Sequence, residues 1–180
     1  MPNATVVADR FHVMNIINGE LDKKRKSEYR EAQKLTNETE KERIIEGLKK
    51  SKYVLIKNED NLKEEQKLKL EEVKTVSPQL SIMHQLKEEF RAIYETTENW
   101  YDGMSRITDW LAKAGEYFSE SQKTIMRWFG EIISYFERRT SNGVVEGINN
   151  KLKLIKRAAY GFRNFHNFRI RCLLSWHFSG

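Results

Sequence analysis

A chain of 180 residues can bury a sizeable core without disulfides or structural metal. Its 39% apolar and 32% charged residues with only 2 prolines suit long amphipathic helices and argue against a turn-rich β-sandwich, while the single cysteine, Cys172, excludes an internal disulfide and a cysteine-based zinc site. The net charge of +6 is unevenly placed. Residues 138–180 hold nine Lys or Arg against one acid, Glu146, whereas residues 1–137 hold 23 bases against 25 acids. A one-sided positive stripe points to a polyanion, with nucleic acid ahead of a membrane surface. No basic and apolar leader opens the sequence, and no segment reaches bilayer-spanning length. The expectation is a soluble, cytoplasmic, nucleoid-associated protein with no membrane partner.

In chain order, Thr5-Val6-Val7-Ala8 is a short β-prone run ending at Asp9, and Arg10 to Lys26 follows as a helix with Phe11, Met14, Ile17 and Leu21 on one face. A strand here would deliver Asp9 to its C-terminal end, where ligands and catalytic groups gather in open α/β sheets. Glu38 to Lys50 reads as a second helix and Tyr53-Val54-Leu55-Ile56-Lys57 as a second strand, giving a strand, helix, strand unit. Four charged helices follow, at about Leu62–Lys74, Gln79–Glu98, Gly103–Phe118 and Glu120–Arg138. Their start signals are Asn61 with Glu64, Ser77-Pro78, and Ser119 with Gln122. Trp100, Trp110, Trp128, Phe118, Phe129 and Phe136 recur among these helices at helical spacing and are assigned to packing. Thr140-Ser141-Asn142-Gly143 is a loop with cap donors. Val144 to Arg157 is a helix, Ala159 to Phe162 a break, and Asn164 to Trp176 the last helix.

The helix beginning near Val144 puts Val145, Ile148, Leu152 and Ile155 on one face and Glu146, Asn149, Asn150, Lys153 and Arg157 on the other. The only acid of the basic tail thus shares a stripe with its cations, and no Lys or Arg stands three or four residues away to form the usual helical ion pair. A carboxylate in a phosphate-binding stripe repels its own ligand unless a divalent cation lies between them, as in metal-assisted phosphoryl transfer. Asp9 and Glu146 could share such metal. Two ions spaced about 3.5–4 Å apart would serve the attacking and leaving oxygens. Oxygen ligands without paired His or Cys favour Mg²⁺, with Mn²⁺ as a substitute. Asn150, Lys153, Lys156, Arg157 and Arg163 are the expected DNA contacts, holding backbone phosphate without reading base sequence. His12, one turn beyond Asp9, invites a general-base role, but a lone histidine near an apolar helix face is more often structural, and it stays outside the catalytic set.

Several blocks carry a resemblance: Val6-Val7-Ala8-Asp9-Arg10-Phe11-His12-Val13, Leu55-Ile56-Lys57-Asn58, the run Gln85 to Tyr94, the run Thr140 to Lys153, then Lys156-Arg157 and Tyr160-Gly161-Phe162-Arg163-Asn164-Phe165. Across essentially the whole chain they resemble bacterial insertion-sequence transposases of the ISL3 family. The resemblance implies a DNA transposase acting on element ends and target DNA by metal-dependent cleavage and strand transfer. It also implies an acidic triad in which Asp9 is the second aspartate and Glu146 the final glutamate. The expected fold is mostly α overall, with an α/β partial RNase H-like core and a predominantly helical insertion. Residues 1–57 would be the first part of that core, 58–137 the helical insertion, and 138–180 the basic helices completing it. The family's first catalytic aspartate and its N-terminal DNA-recognition region match nothing in this sequence, since Asp22, Asp60, Asp102 and Asp109 all follow Asp9. The 180 residues alone are therefore expected to be inactive, and the rival expectation is a truncated, non-catalytic DNA-binding fragment that pairs with itself or with an intact transposase.

Overall fold

The structure, a computed structural model, describes residues 10–137, 150–155, 157–158 and 165–177. Among these every regular element is helical: α1 (Arg10–Ala32), α2 (Glu38–Leu48), α3 (Lys52–Ile56), α4 (Glu64–Val76), α5 (Pro78–Thr96), α6 (Trp100–Ala114), α7 (Ser119–Arg127) and α8 (Phe129–Ser134). Residues 150–155 form α9, Phe165–His177 forms α10, and short 3₁₀ turns cover Glu59–Asn61 and Tyr135–Glu137.

The expected α/β RNase H-like core is corrected by this all-helical arrangement. The first expected strand, Thr5–Ala8, lies outside the described residues. The second is α3: Leu55 N–H donates to Ser51 O at 3.1 Å and Lys57 N–H to Tyr53 O at 3.0 Å, so these amides are spent within the segment. Four consecutive apolar or aromatic positions, Tyr53 to Ile56, fit a buried strand and a buried helical turn equally well. The choice is made from outside the segment. The Lys87 ammonium of α5 reaches Leu55 O and Lys57 O, both at 2.9 Å, and gathers the carbonyls that end the helix.

Helix ends follow local chemistry. Asp22 pairs with Arg25 at 2.7 Å and Lys26 at 2.8 Å, one turn ahead on the same face, and α1 continues past the expected stop to Ala32. Ser77 caps α5 as expected, accepting from Leu80 N–H at 3.0 Å ahead of Pro78. Asn61 does not cap α4; the helix starts after Lys63, whose N–H donates to the Gln66 side chain at 3.0 Å. The expected helix Glu120–Arg138 is split at Trp128, where φ −101° and ψ 19° leave the helical range. Nor does Ser119 cap α7. Glu20 of α1 does so, accepting from Glu120 N–H at 3.1 Å, Ser121 N–H at 2.7 Å and Ser121 Oγ at 2.6 Å.

α5 is the central element and packs against α1, α4 and α6. Its buried side is Leu80, Met83, Leu86, Phe90, Ile93 and Tyr94, facing Val13, Ile17 and Leu21 of α1 and Met104, Ile107, Trp110 and Leu111 of α6. Trp110 lies 4.6 Å from Phe90 between ring centroids, and its indole N–H donates to Leu86 O at 2.7 Å, so the large ring is buried with its one donor satisfied. Trp110, Phe118 and Phe129 are core residues, as their spacing predicts; Trp128 is 43% exposed beside the helix break. Gly47 lets α2 approach α4: a Cβ there would lie 2.7 Å from Val76 Cγ2. The C-terminal helices join the same core through Leu152 and Ile155 of α9 and through Phe168 and Cys172 of α10, with α10 against α6. Among the described residues no helix is long and apolar enough to cross a membrane.

Candidate nucleic-acid interface

The amphipathic reading of the basic C-terminal helix holds for its described part. In α9, Leu152 and Ile155 are buried while Asn150 and Lys153 are exposed, and Arg157 is exposed just beyond. Burying the apolar pair fixes the helix's rotation, so the amide and the two cations share the outer side. Cations displayed this way on a packed helix can hold consecutive phosphates along a nucleic-acid backbone. The outer side is not purely polar, since Leu154 is 62% exposed. Asp9, Glu146, Lys156 and Arg163 lie outside the described residues, as does the loop Thr140–Gly143. Among the described residues, no group of three or more His, Cys, Asp or Glu side chains could hold a metal ion. His12 sits edge-on to Phe11, with ring centroids 5.9 Å apart.

Sequence reasoning missed a seam of charge running along α5. It begins at Arg10, the residue after Asp9, whose guanidinium donates to Glu95 Oε1 at 2.6 Å. Arg91 donates to the same carboxylate at 2.8 and 2.9 Å, to Glu88 Oε2 at 2.7 Å and to Asp60 Oδ2 at 2.6 Å. Glu88 in turn pairs with Lys87 at 2.5 Å. Burial works against the Arg91 cation, yet the hydrogen bonds to Asp60 and Glu88 prevail and hold its pKa above the usual guanidinium value. For Lys87, wholly buried, burial dominates over the Glu88 hydrogen bond and lowers the pKa. His84, 1% exposed and one turn before Glu88, is pushed down to about 3, first by burial and then by the charges of Lys87 and Lys74, so it is neutral at pH 7. The sequence did hold a signal for part of this seam: Glu88, Arg91 and Glu95 stand at helical spacings of three and four. The contributions of Arg10, Asp60 and Lys87 depend on tertiary packing.

The sequence profile of the ISL3-type DDE transposases, described as a transposase family, matches residues 1–172. Similar curated proteins include the transposase for insertion sequence element IS1001 of Bordetella parapertussis. It is 27% identical over 180 residues, covering 94% of this chain and 41% of that protein. The transposase for insertion sequence element IS1557 of Mycobacterium tuberculosis is also 27% identical, over 182 residues, covering 91% of this chain and 40% of that protein. An ATP-dependent protease of Lactococcus lactis subsp. lactis is 31% identical over 98 residues, covering 54% of this chain and 31% of that protein. The chain thus spans about two fifths of the length of the transposases it matches. No solved structure matches it.

Proposed function

Because the chain belongs to the ISL3 transposase family, we propose that it supplies the C-terminal catalytic and DNA-holding part of an insertion-sequence transposase, acting on element ends and target DNA. The observation that supports this reading is the outer side of α9, where Asn150, Lys153 and Arg157 stand exposed over a buried Leu152–Ile155 pair. Lys156 and Arg163 are assigned to the same phosphate contacts. Asp9 and Glu146 are the two carboxylates of the acidic triad that these residues provide. Their donors are oxygen only, a chemistry that suits Mg²⁺ or Mn²⁺. Metal bound there supplies positive charge to a reacting phosphodiester and lowers the pKa of an attacking hydroxyl or water.

In this reading residues 1–57 and 138–180 bring the catalytic carboxylates and the DNA contacts, and residues 58–137 form the helical portion between them. The chain's own contribution to the chemistry is positional. A packed basic helix fixes the phosphate backbone, and cations on its outer side offset the repulsion that Glu146 would otherwise exert on DNA. Pairing with a second copy, or with a longer transposase, belongs to the same proposal.

The test is cleavage and strand transfer on labelled element-end DNA with Mg²⁺ or Mn²⁺. It compares the 180 residues with a version extended by the upstream residues that the resemblance implies, each also as Glu146→Gln. The expected result is activity in the extended protein, abolished by Glu146→Gln, with binding but no cleavage by the 180 residues. An extended protein that is inert, or indifferent to Glu146→Gln, overturns the assignment.

A further inference from the structure

We infer that the corner between α2 and α3 is a second DNA-contact surface, with its lysines on backbone phosphates and the Tyr53 ring stacked on an unpaired base. The inference rests on the reading of this chain as a DNA-handling protein, but it uses neither the acidic triad nor the C-terminal helices.

From Gly47 to Asn58 the sequence holds four lysines and no acid. Lys49, Lys50, Lys52 and Tyr53 are exposed, and among the described residues the ion pair of this run is Lys49 with Glu46 at 3.2 Å. The corner is held firmly from within. Ser51 is buried with its hydroxyl on Leu48 O at 2.6 Å, Val54 and Leu55 are buried, and Lys87 clamps Leu55 O and Lys57 O. With the inner side fixed, the outer side chains are presented on a rigid base, which lowers the ordering cost of binding.

Lys50 bears most directly on function. After α2 ends at Leu48, the chain turns through Lys50 at φ 57°, the left-handed region in which glycine is at ease and a side chain is strained. Keeping a lysine there opposes local stability, as retained strain at functional positions commonly does. Tyr53 is 56% exposed, and the Lys57 ammonium stands 5.2 Å from its ring centroid. A ring backed by a cation and open to solvent is a sequence-neutral platform for a nucleobase, while neighbouring lysines hold the adjoining phosphates. Such stacking needs a base free of its partner strand, so single-stranded or unpaired DNA is the ligand class assigned to Tyr53.

The test uses the 180-residue chain and fluorescence anisotropy with a labelled mixed-sequence single strand and its duplex across a salt series. Lys50→Gly is the informative variant because it removes the charge while relaxing the backbone. Its melting temperature should hold or rise while binding to both DNAs weakens, and with Lys52→Gln added the slope of log K against log salt should flatten by about 1.4–1.8. Tyr53→Leu should weaken single-strand binding roughly 5-fold to 100-fold and leave duplex binding unchanged. Equal losses on both DNAs overturn the stacking assignment. If Lys153→Gln with Arg157→Gln weakens binding while the corner variants match wild type in affinity and slope, the corner is an ordinary solvated surface and the inference fails alone. If wild type binds neither DNA, the DNA-handling reading falls with it.

Discussion

The two sides of the α2–α3 corner use the same residue type for opposite ends. On the inside, Lys87 is wholly buried, its ammonium on two backbone carbonyls and beside Glu88. On the outside, Lys50 is exposed and sits in a backbone conformation that disfavours it. The first lysine is held by the fold and stabilises it. The second is tolerated by the fold at some cost to stability. In sequence both are lysines in amphipathic helical stretches, and only the carbonyls within reach of their ammonium groups separate them.

The inner side should break hardest. Lys87→Ala leaves Leu55 O and Lys57 O at the end of α3 without their buried donor, while Glu88 keeps Arg91, and urea denaturation should show a loss of about 1–3 kcal/mol for each carbonyl stranded. A loss near that of an ordinary surface substitution would mean that α5 does not hold the corner. Next in size is an acid sensitivity at the same seam. His84 has a folded pKa of about 3 against its ordinary 6.5, so the unfolded chain binds the extra proton first as pH falls. Its contribution is therefore complete above about pH 6.5 and is lost between there and about pH 3. His84 faces Glu59 at 3.6 Å and Glu88 at 4.0 Å and lies in the field of Lys87 and Lys74. His84→Gln should flatten that part of a thermal stability profile, and an unchanged slope would assign the acid sensitivity to the carboxylates instead.

Smaller effects sharpen the contrast between expected and observed caps. Glu20→Gln removes the charged acceptor at the start of α7 and should cost about 1 kcal/mol in denaturation, whereas Ser119→Ala, at the position the sequence favours as the cap, should stay within about 0.5 kcal/mol. The reverse ranking would restore the local cap. Smallest, and opposite in sign, is Lys50→Gly, which should stabilise the chain by several tenths of a kcal/mol to about 1 kcal/mol through relief of the left-handed strain.

What could be read without coordinates follows the range of the interaction responsible. The Ser77-Pro78 start of α5 is local and was legible, as was the periodicity that buries Leu152 and Ile155 and exposes Asn150, Lys153 and Arg157. Tyr53–Lys57 has the look of a strand in sequence because a short apolar run has no period of its own, and its helical end is completed by Lys87, 30 residues away from Lys57. The break at Trp128 is weakly marked: Gly130 stands two residues beyond it, but an isolated glycine inside a helical pattern is tolerated and does not by itself predict a break. Asp9 and Glu146 stand out in the sequence as the end of an expected strand and the lone acid of a basic stripe, their triad roles being implied by the resemblance; both lie outside the described residues, so the basic side of α9 is the part of the proposed site seen in three dimensions.

The bond from Glu20 to the head of α7 also bears on the order in which the chain can fold. Nine residues are too few for a stable isolated helix, and the carboxylate that secures α7 comes from a segment 100 residues earlier. α7 should therefore consolidate after the two ends of that long loop have met, and in hydrogen exchange its amides should open together with the loss of α1 docking rather than as an independent fraying helix.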